Sequence, residues 1–339
     1  MKFISYINKS NNKERAGIFF NNHIYDLKKC GKEIGIKMPS KISRLLNEWE
    51  ESKRKVYKVD QAIKKQEIKE FIKKKEIKLL SPVPHPASCR DGYAFRQHVE
   101  KARRNRGLDM IPEFDQFPVF YFTNHNAIYG EGDVIVEKDH LKGLDFELEA
   151  AVIIGKKGRN IPIQKADEYI AGYTIMNDFS ARFLQMEEMK LSLGPAKGKD
   201  FATALGPFLV TPDELKEYKI ETDCGDKYNL EMKAYHKGNL VSEGNLKDMN
   251  WTFAQIISRA SYGADLLPGD VIGSGTVGSG CYLEINGTKA LEAKTKGEMY
   301  NPIWLDNGDT IELEITGLGK LKNRIIKSPD NISILSGQI

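Results

Sequence analysis

The chain has 339 residues, enough for about two domains of ordinary size and for a buried active site. Its 40% hydrophobic, 9% aromatic and 29% charged residues are those of an ordinary globular protein, which excludes wholesale disorder and collagen-like structure. The net charge of +4 hides an asymmetry, because residues 1–80 hold 21 Lys and Arg against 10 Asp and Glu, leaving the remainder net acidic.

In chain order, MKFISYINKSNNKERAGIFFNNHIYDL reads as short strands with Asn-Asn turns. Ser40 then precedes Ile42, Leu45, Leu46 and Trp49, an N-cap followed by an amphipathic stripe. The lysines of KRKVYKVDQAIKKQEIKEFIKKKEIK alternate with acids at helical spacing and have no aromatic platform among them, which predicts a solvated helix face and no nucleic-acid surface. Three prolines in SPVPHPAS, residues 81–88, form a stiff connector. The expected domains are therefore a small N-terminal β/α unit, 1–80, and a larger unit, 81–339.

Past the connector the pattern is mainly β with some α, an α+β fold. Strands are predicted in LDFELEAAVIIG, YIAGYTIMND, GPFLVT, LEMKAYHKGNLVSEG, YLEINGTKALEAKTKG and TIELEITGLG, and helices in RQHVEKARRNRG, SARFLQMEEMKL and WTFAQIISRASYGAD. The helices are not spaced to repeat βαβ units. The four cysteines, Cys30, Cys89, Cys224 and Cys281, form no C-x-x-C pair, and none has a His partner in its sequence neighbourhood. No run of 18 uncharged apolar residues occurs, so no membrane span is expected, and a reducing cytoplasm is the expected compartment.

In Leu144-Asp145-Phe146-Glu147-Leu148-Glu149-Ala150, strict alternation puts three acids on one strand face. Alternation alone equally describes a surface strand. The continuation Ala151-Val152-Ile153-Ile154 is apolar on both faces, however, and predicts a covered sheet with the acids aimed into a cavity. Buried carboxylates need a counter-charge, which a divalent cation supplies. Asp178, at the end of a strand, and Asp91 are further candidates, and an all-oxygen donor set suits Mg²⁺, Ca²⁺ or Mn²⁺ better than zinc. Gly273-Ser274-Gly275-Thr276-Val277-Gly278 fits G-x-G-x-x-G, but the hairpin predicted after it argues against a dinucleotide site, and its glycines suit a loop passing close to a ligand.

Asp91, Tyr93, Arg96-Gln97-His98, Asp145-Phe146-Glu147-Leu148-Glu149, Asn177-Asp178-Phe179-Ser180-Ala181-Arg182, Gln185, Gly198-Lys199-Asp200-Phe201 and Gly273-Ser274-Gly275-Thr276 together resemble the fumarylacetoacetate hydrolase family, in matching order. The likeness runs over about residues 85–325. It implies a mixed β-roll catalytic domain, a divalent metal, a small-molecule diketo acid substrate and a homodimer. It places metal ligands at Asp91, Glu147, Glu149 and Asp178. It also implies that His98, oriented by Glu284, polarises the attacking water, and that Lys199, Arg182 and Gln185 stabilise the oxyanion. Tyr93, Tyr121 and Thr276 are the matching substrate contacts, with Arg106 a looser match.

The activity so implied is hydrolysis of a carbon–carbon bond in a fumarylacetoacetate- or acylpyruvate-type 1,3-diketo acid, in aromatic-compound breakdown. The rival within the family is a 2-oxo acid decarboxylase or keto–enol isomerase, which would dispense with the His–Glu pair. A rival of another class is a non-catalytic cation- or nucleic-acid-binding protein. Met189 departs from the hydrolase pattern, where a substrate-binding tyrosine is expected.

Overall fold

A computed structural model describes residues 1–335. Its main sheet has eleven strands, nine of them in one path. The path runs from His23–Asp26 and Lys13–Phe20 to Lys2–Asn8, then through Thr203–Val210, Ile170–Asp178, Leu148–Ile154 and Val271–Gly273 to Cys89–Gly92 and Phe120–Thr123. Residues 1–80 therefore extend the same sheet, since Lys2 and Phe3 pair with Val210 and Leu209. A second sheet of five strands is centred on Glu231–His236, Thr310–Ile315 and Gly319–Lys327.

The two faces of Leu148–Ile154 show how the core divides. Leu148, Ala150, Val152 and Ile154 pack toward the second sheet with Met232, Ala234, Leu313 and Leu321. Ala151 and Ile153 pack with Phe3, Leu45, Leu46 and Val56 of the N-terminal unit. Both faces are covered, as the unbroken apolar run required. Only the first half of the lysine-rich stretch is helical: Trp49–Lys64 buries Val56, Val59, Ala62 and Ile63 and turns Lys53, Arg54, Lys55 and Lys58 outward, and the rest, 65–78, runs through loop and the short turn Lys74–Glu76 into the strand Ile77–Leu79. No helix among the described residues is long and apolar enough to cross a membrane.

Three further local expectations differ from the structure. The first helix after Ser40 is Ile42–Asn47, with Lys41 and not Ser40 at its N-cap. The acid strand is not continuous, because Phe146 and Glu147 interrupt it between Leu144–Asp145 and Leu148–Ile154. The largest difference lies at YLEINGTKALEAKTK, which is a helix, Tyr282–Lys296, and not a hairpin. Its Asn-Gly pair serves packing. Asn286 donates to Ile303 O at 2.8 Å and accepts from Ile303 N at 3.0 Å, which pins the segment beyond the helix. Gly287 lets a neighbouring helix approach, since a Cβ there would lie 2.6 Å from the Asn105 side chain.

Candidate active site

Register in the main sheet assembles the acids. Asp91 stands opposite Gly273 in a parallel pair, and on its other side opposite Tyr121. Gly273 in turn stands opposite Ala151, two residues beyond Glu149, on the strand that pairs with the one ending in Asp178. Carboxylate oxygens of Asp91, Glu147 and Asp178 all lie within 4.8 Å of one another, and all three side chains are buried.

Glu149 lies outside that set of three but meets Asp91 at Gly273. A Cβ at that glycine would sit 2.4 Å from Asp91 Oδ1 and 3.0 Å from Glu149 Oε2. Its missing side chain is what allows carboxylates from two strands to converge. Gly273→Ala is therefore expected to weaken Mn²⁺ binding by about 10- to 100-fold, as removal of a supporting contact around a metal does. Calorimetric titration of the folded variant checks this, and unchanged affinity would remove the glycine from the site.

Two cations face these acids. Lys199 Nζ lies 2.5 Å from Glu147 Oε2 and 2.8 Å from Asp178 Oδ2. Arg182 donates from Nη2 to Glu147 Oε1 and from Nε to Asp145 Oδ2, both at 2.8 Å, and from Nη1 to Gln185 Oε1 at 2.9 Å. Burial opposes the charge on Glu147, but Lys199, Arg182 and His98 outweigh it and hold its carboxyl down at about 2. Asp91 and Glu149 lack such partners. Burial, then the Asp178 charge, pushes Asp91 up to about 7, and burial, then Asp91, raises Glu149. Glu149 Oε2 is buried with no hydrogen-bond partner. An orphaned carboxylate oxygen beside an uncompensated acid, in an all-oxygen donor set, fits a hard divalent cation held by Asp91, Glu147, Glu149 and Asp178.

His98, on the helix Arg96–Arg104, meets Glu284, in the first turn of Tyr282–Lys296, with Nδ1 2.8 Å from Oε2. Both are buried, and His98 Nε2 has no hydrogen-bond partner among the described residues. Glu284 is itself fixed: Oε1 accepts from Ser279 N at 2.6 Å and lies 3.4 Å from Lys101 Nζ, which also donates to Ser279 Oγ at 2.6 Å. Tyr93 stands edge-on to His98 at 5.7 Å, and burial pushes its hydroxyl up to about 12. Tyr121 donates to Asp178 Oδ2, and Thr276 Oγ1 lies 3.4 Å from Glu149 Oε1. Arg106 is exposed just beyond the helix Arg96–Arg104, its Nε donates to Ala102 O at 3.0 Å, and its charge reaches the Tyr93 hydroxyl.

Sequence spacing gave no sign of Lys101, Ser279 or Cys281. The Cys281 sulfur lies within 4.8 Å of His98 and Glu284 ligand atoms. Burial and the Asp145 charge raise its thiol well above the ordinary value, so it stays protonated and does not supply a thiolate nucleophile. Asp145 does not join the other acids, because the break at Phe146-Glu147 turns it toward Arg182 and the start of the Tyr282–Lys296 helix. There it accepts from Tyr282 N at 2.7 Å and Leu283 N at 2.9 Å. A helix does follow the glycine loop, but these first amides are already committed to Asp145 and the glycines crowd acids and backbone. That leaves no place for a pyrophosphate.

A family model for the fumarylacetoacetate (FAA) hydrolase C-terminal domain matches residues 88–326. Over 327 residues the chain is 28% identical to a fumarylacetoacetate hydrolase domain-containing protein 2 homolog of Dictyostelium discoideum, covering 96% of this chain and 97% of that protein. It is 29% identical over 259 residues to the oxaloacetate tautomerase YisK of Bacillus subtilis, covering 74% and 73% respectively. Among solved structures, a maleylpyruvate hydrolase from Sphingobium in complex with manganese (II) ion and pyruvate has the same fold. Its TM-score is 0.66 at 19% identity, covering 97% of this chain and all of that one. The matched proteins include enzymes of several kinds, among them hydrolases, isomerases and tautomerases. The model match over more than half of the chain places this protein in the fumarylacetoacetate hydrolase family.

Proposed function

We propose that this protein hydrolyses a carbon–carbon bond of a 1,3-diketo acid of the acylpyruvate or fumarylacetoacetate type, with a divalent cation bound by Asp91, Glu147, Glu149 and Asp178. The observation that carries the reading is the buried His98–Glu284 pair, with Nδ1 2.8 Å from Oε2. The cation supplies Lewis-acid chemistry, polarising a carbonyl and offsetting enolate charge.

The remaining work falls to side chains. Glu284 at Nδ1 leaves His98 Nε2 free to take a proton from water as the water oxygen attacks a carbonyl carbon. The carbon–carbon bond then breaks, its electron pair leaves with the departing fragment as an enolate, and the imidazolium returns the proton to that carbon. Lys199, Arg182 and Gln185 line the same side as Glu147 and serve the developing oxyanion, where one donor is worth about 10²- to 10³-fold in rate. In this reading Tyr93, edge-on to His98, and Tyr121 and Thr276, beside Asp178 and Glu149, bind the substrate's terminal oxygens.

A second reading, keto–enol tautomerisation or decarboxylation of a 2-oxo acid, is favoured by two observations. One is that three relatives are named oxaloacetate tautomerases. The other is the exposed Met189, one turn beyond Gln185 on the same helix, where the hydrolase pattern has a tyrosine. One assay separates them: protein with Mg²⁺, Ca²⁺ or Mn²⁺ against acylpyruvates, fumarylacetoacetate and oxaloacetate, with products identified by mass. Two acids are the expected result. Carbon dioxide, or faster enol–keto exchange with no new mass, would replace hydrolysis with the second reading.

A further inference from the structure

The basic character of residues 1–80 has no role in the site above. Part of it is gathered around one groove of about 510 Å³, within the size range of small-molecule sites, between the strand Lys13–Phe20, the helix Leu27–Glu33 and residues 34–38. We propose that this groove binds a small organic polyphosphate of the nucleoside diphosphate type.

Five basic side chains line it, and four of them, Arg15, Lys28, Lys32 and Lys37, form no ion pair among the described residues. The fifth, Lys29, is held only by an exposed pair with Glu70 at 2.9 Å. One acid lines the groove, Asp26, and both of its oxygens are committed. Oδ2 accepts from Tyr6 OH and Oδ1 from Lys29 N, each at 2.8 Å. The lining thus carries an excess of four positive charges, and like charges around one concavity repel until an anion enters. The charge of a diphosphate, close to −3 near neutral pH, matches that excess better than a single carboxylate does.

The floor explains the organic portion. Ile36 and Met38 supply an apolar base beneath the cationic rim, suited to a flat ring. This floor is preformed. A Cβ at Gly31 would lie 2.5 Å from Ile36 O and 2.6 Å from Met38 Cγ, so residues 36–38 lie directly on the helix. Ile36 N donates to Gly31 O at 2.7 Å, and the Met38 side chain is buried. A preformed concavity, in place of a flat basic face, favours a small ligand over an anionic membrane surface.

Calorimetry of the full chain in EDTA and physiological salt tests this, with ADP, pyrophosphate and adenosine as separate probes. ADP is expected to bind saturably at one site, with a Kd of about 0.1–1 mM, pyrophosphate more weakly and adenosine not at all. The exposed double charge reversal K28E/K32E should keep the melting temperature and weaken ADP about tenfold or more. No saturable ADP binding up to about 5 mM would overturn the proposal. So would equal affinity in K28E/K32E, or binding to phosphatidylserine vesicles that ADP does not displace.

Discussion

His98→Ala is expected to lower hydrolytic turnover by about 10²- to 10⁴-fold while leaving cation affinity unchanged. The split follows from geometry. His98 is not among the carboxylates that converge on the cation site, and its Nδ1 is spent on Glu284. What the substitution removes is the free Nε2 that accepts the proton from water. Glu284→Gln should fall on the same side of the ledger, because an amide at Oε2 no longer dictates the tautomer or stabilises the imidazolium. The backbone N–H of Ser279, 2.6 Å from Oε1, still holds the side chain in place. Steady-state kinetics on whichever diketo acid the product assay identifies, together with Mn²⁺ titration, reads both quantities. Full turnover in His98→Ala would sink water activation by this imidazole and favour tautomerisation.

The acids could be read from sequence because they obey period-two geometry and sit at strand ends, where local pattern and three-dimensional position coincide. Glu149 and Asp178 lie on strands whose apolar neighbours already announced a covered sheet, whereas Asp91 lies on the short strand Cys89–Gly92, which has no apolar run of its own. The pattern failed where a tertiary contact overrode local preference. Asn286-Gly287 has the chemistry of a hairpin turn, yet here Asn286 holds Ile303 and Gly287 makes room for Asn105, so the pair sits inside a helix. Asp145 obeys the same alternation as Glu147 but faces another partner, because the strand breaks between them. Lys101 and Ser279 reach Glu284 only through the packing of two helices far apart in sequence, which no spacing encodes.

Arg182→Met should cost about 3–5 kcal/mol of stability, the usual consequence of removing one partner from a buried ion group and leaving the others uncompensated. The guanidinium is buried and bonded at 2.8 Å to both Asp145 and Glu147, so the variant strands two carboxylates. The fall in melting temperature is expected to be on the order of 10 °C in a chain this long. Loss of function goes with it, because Asp145 also caps the helix that carries Glu284. The acid side of the stability curve supplies a second readout. Glu147 is held at about 2 against an ordinary value of 4.5, so its stabilisation is complete above the unfolded value and is lost as pH falls from there toward 2. With Arg182 gone, only Lys199 and His98 hold that carboxyl down, so the acid-dependent loss in the variant should be smaller and should be complete at a higher pH. Arg182→Lys, which restores charge without the fork that reaches both acids, should recover only part of the difference. Melting temperatures of the three proteins between pH 7 and 3 test the account. A variant that melts within about 3 °C of the parent would mean that these acids are solvated in the native state and do not depend on the arginine.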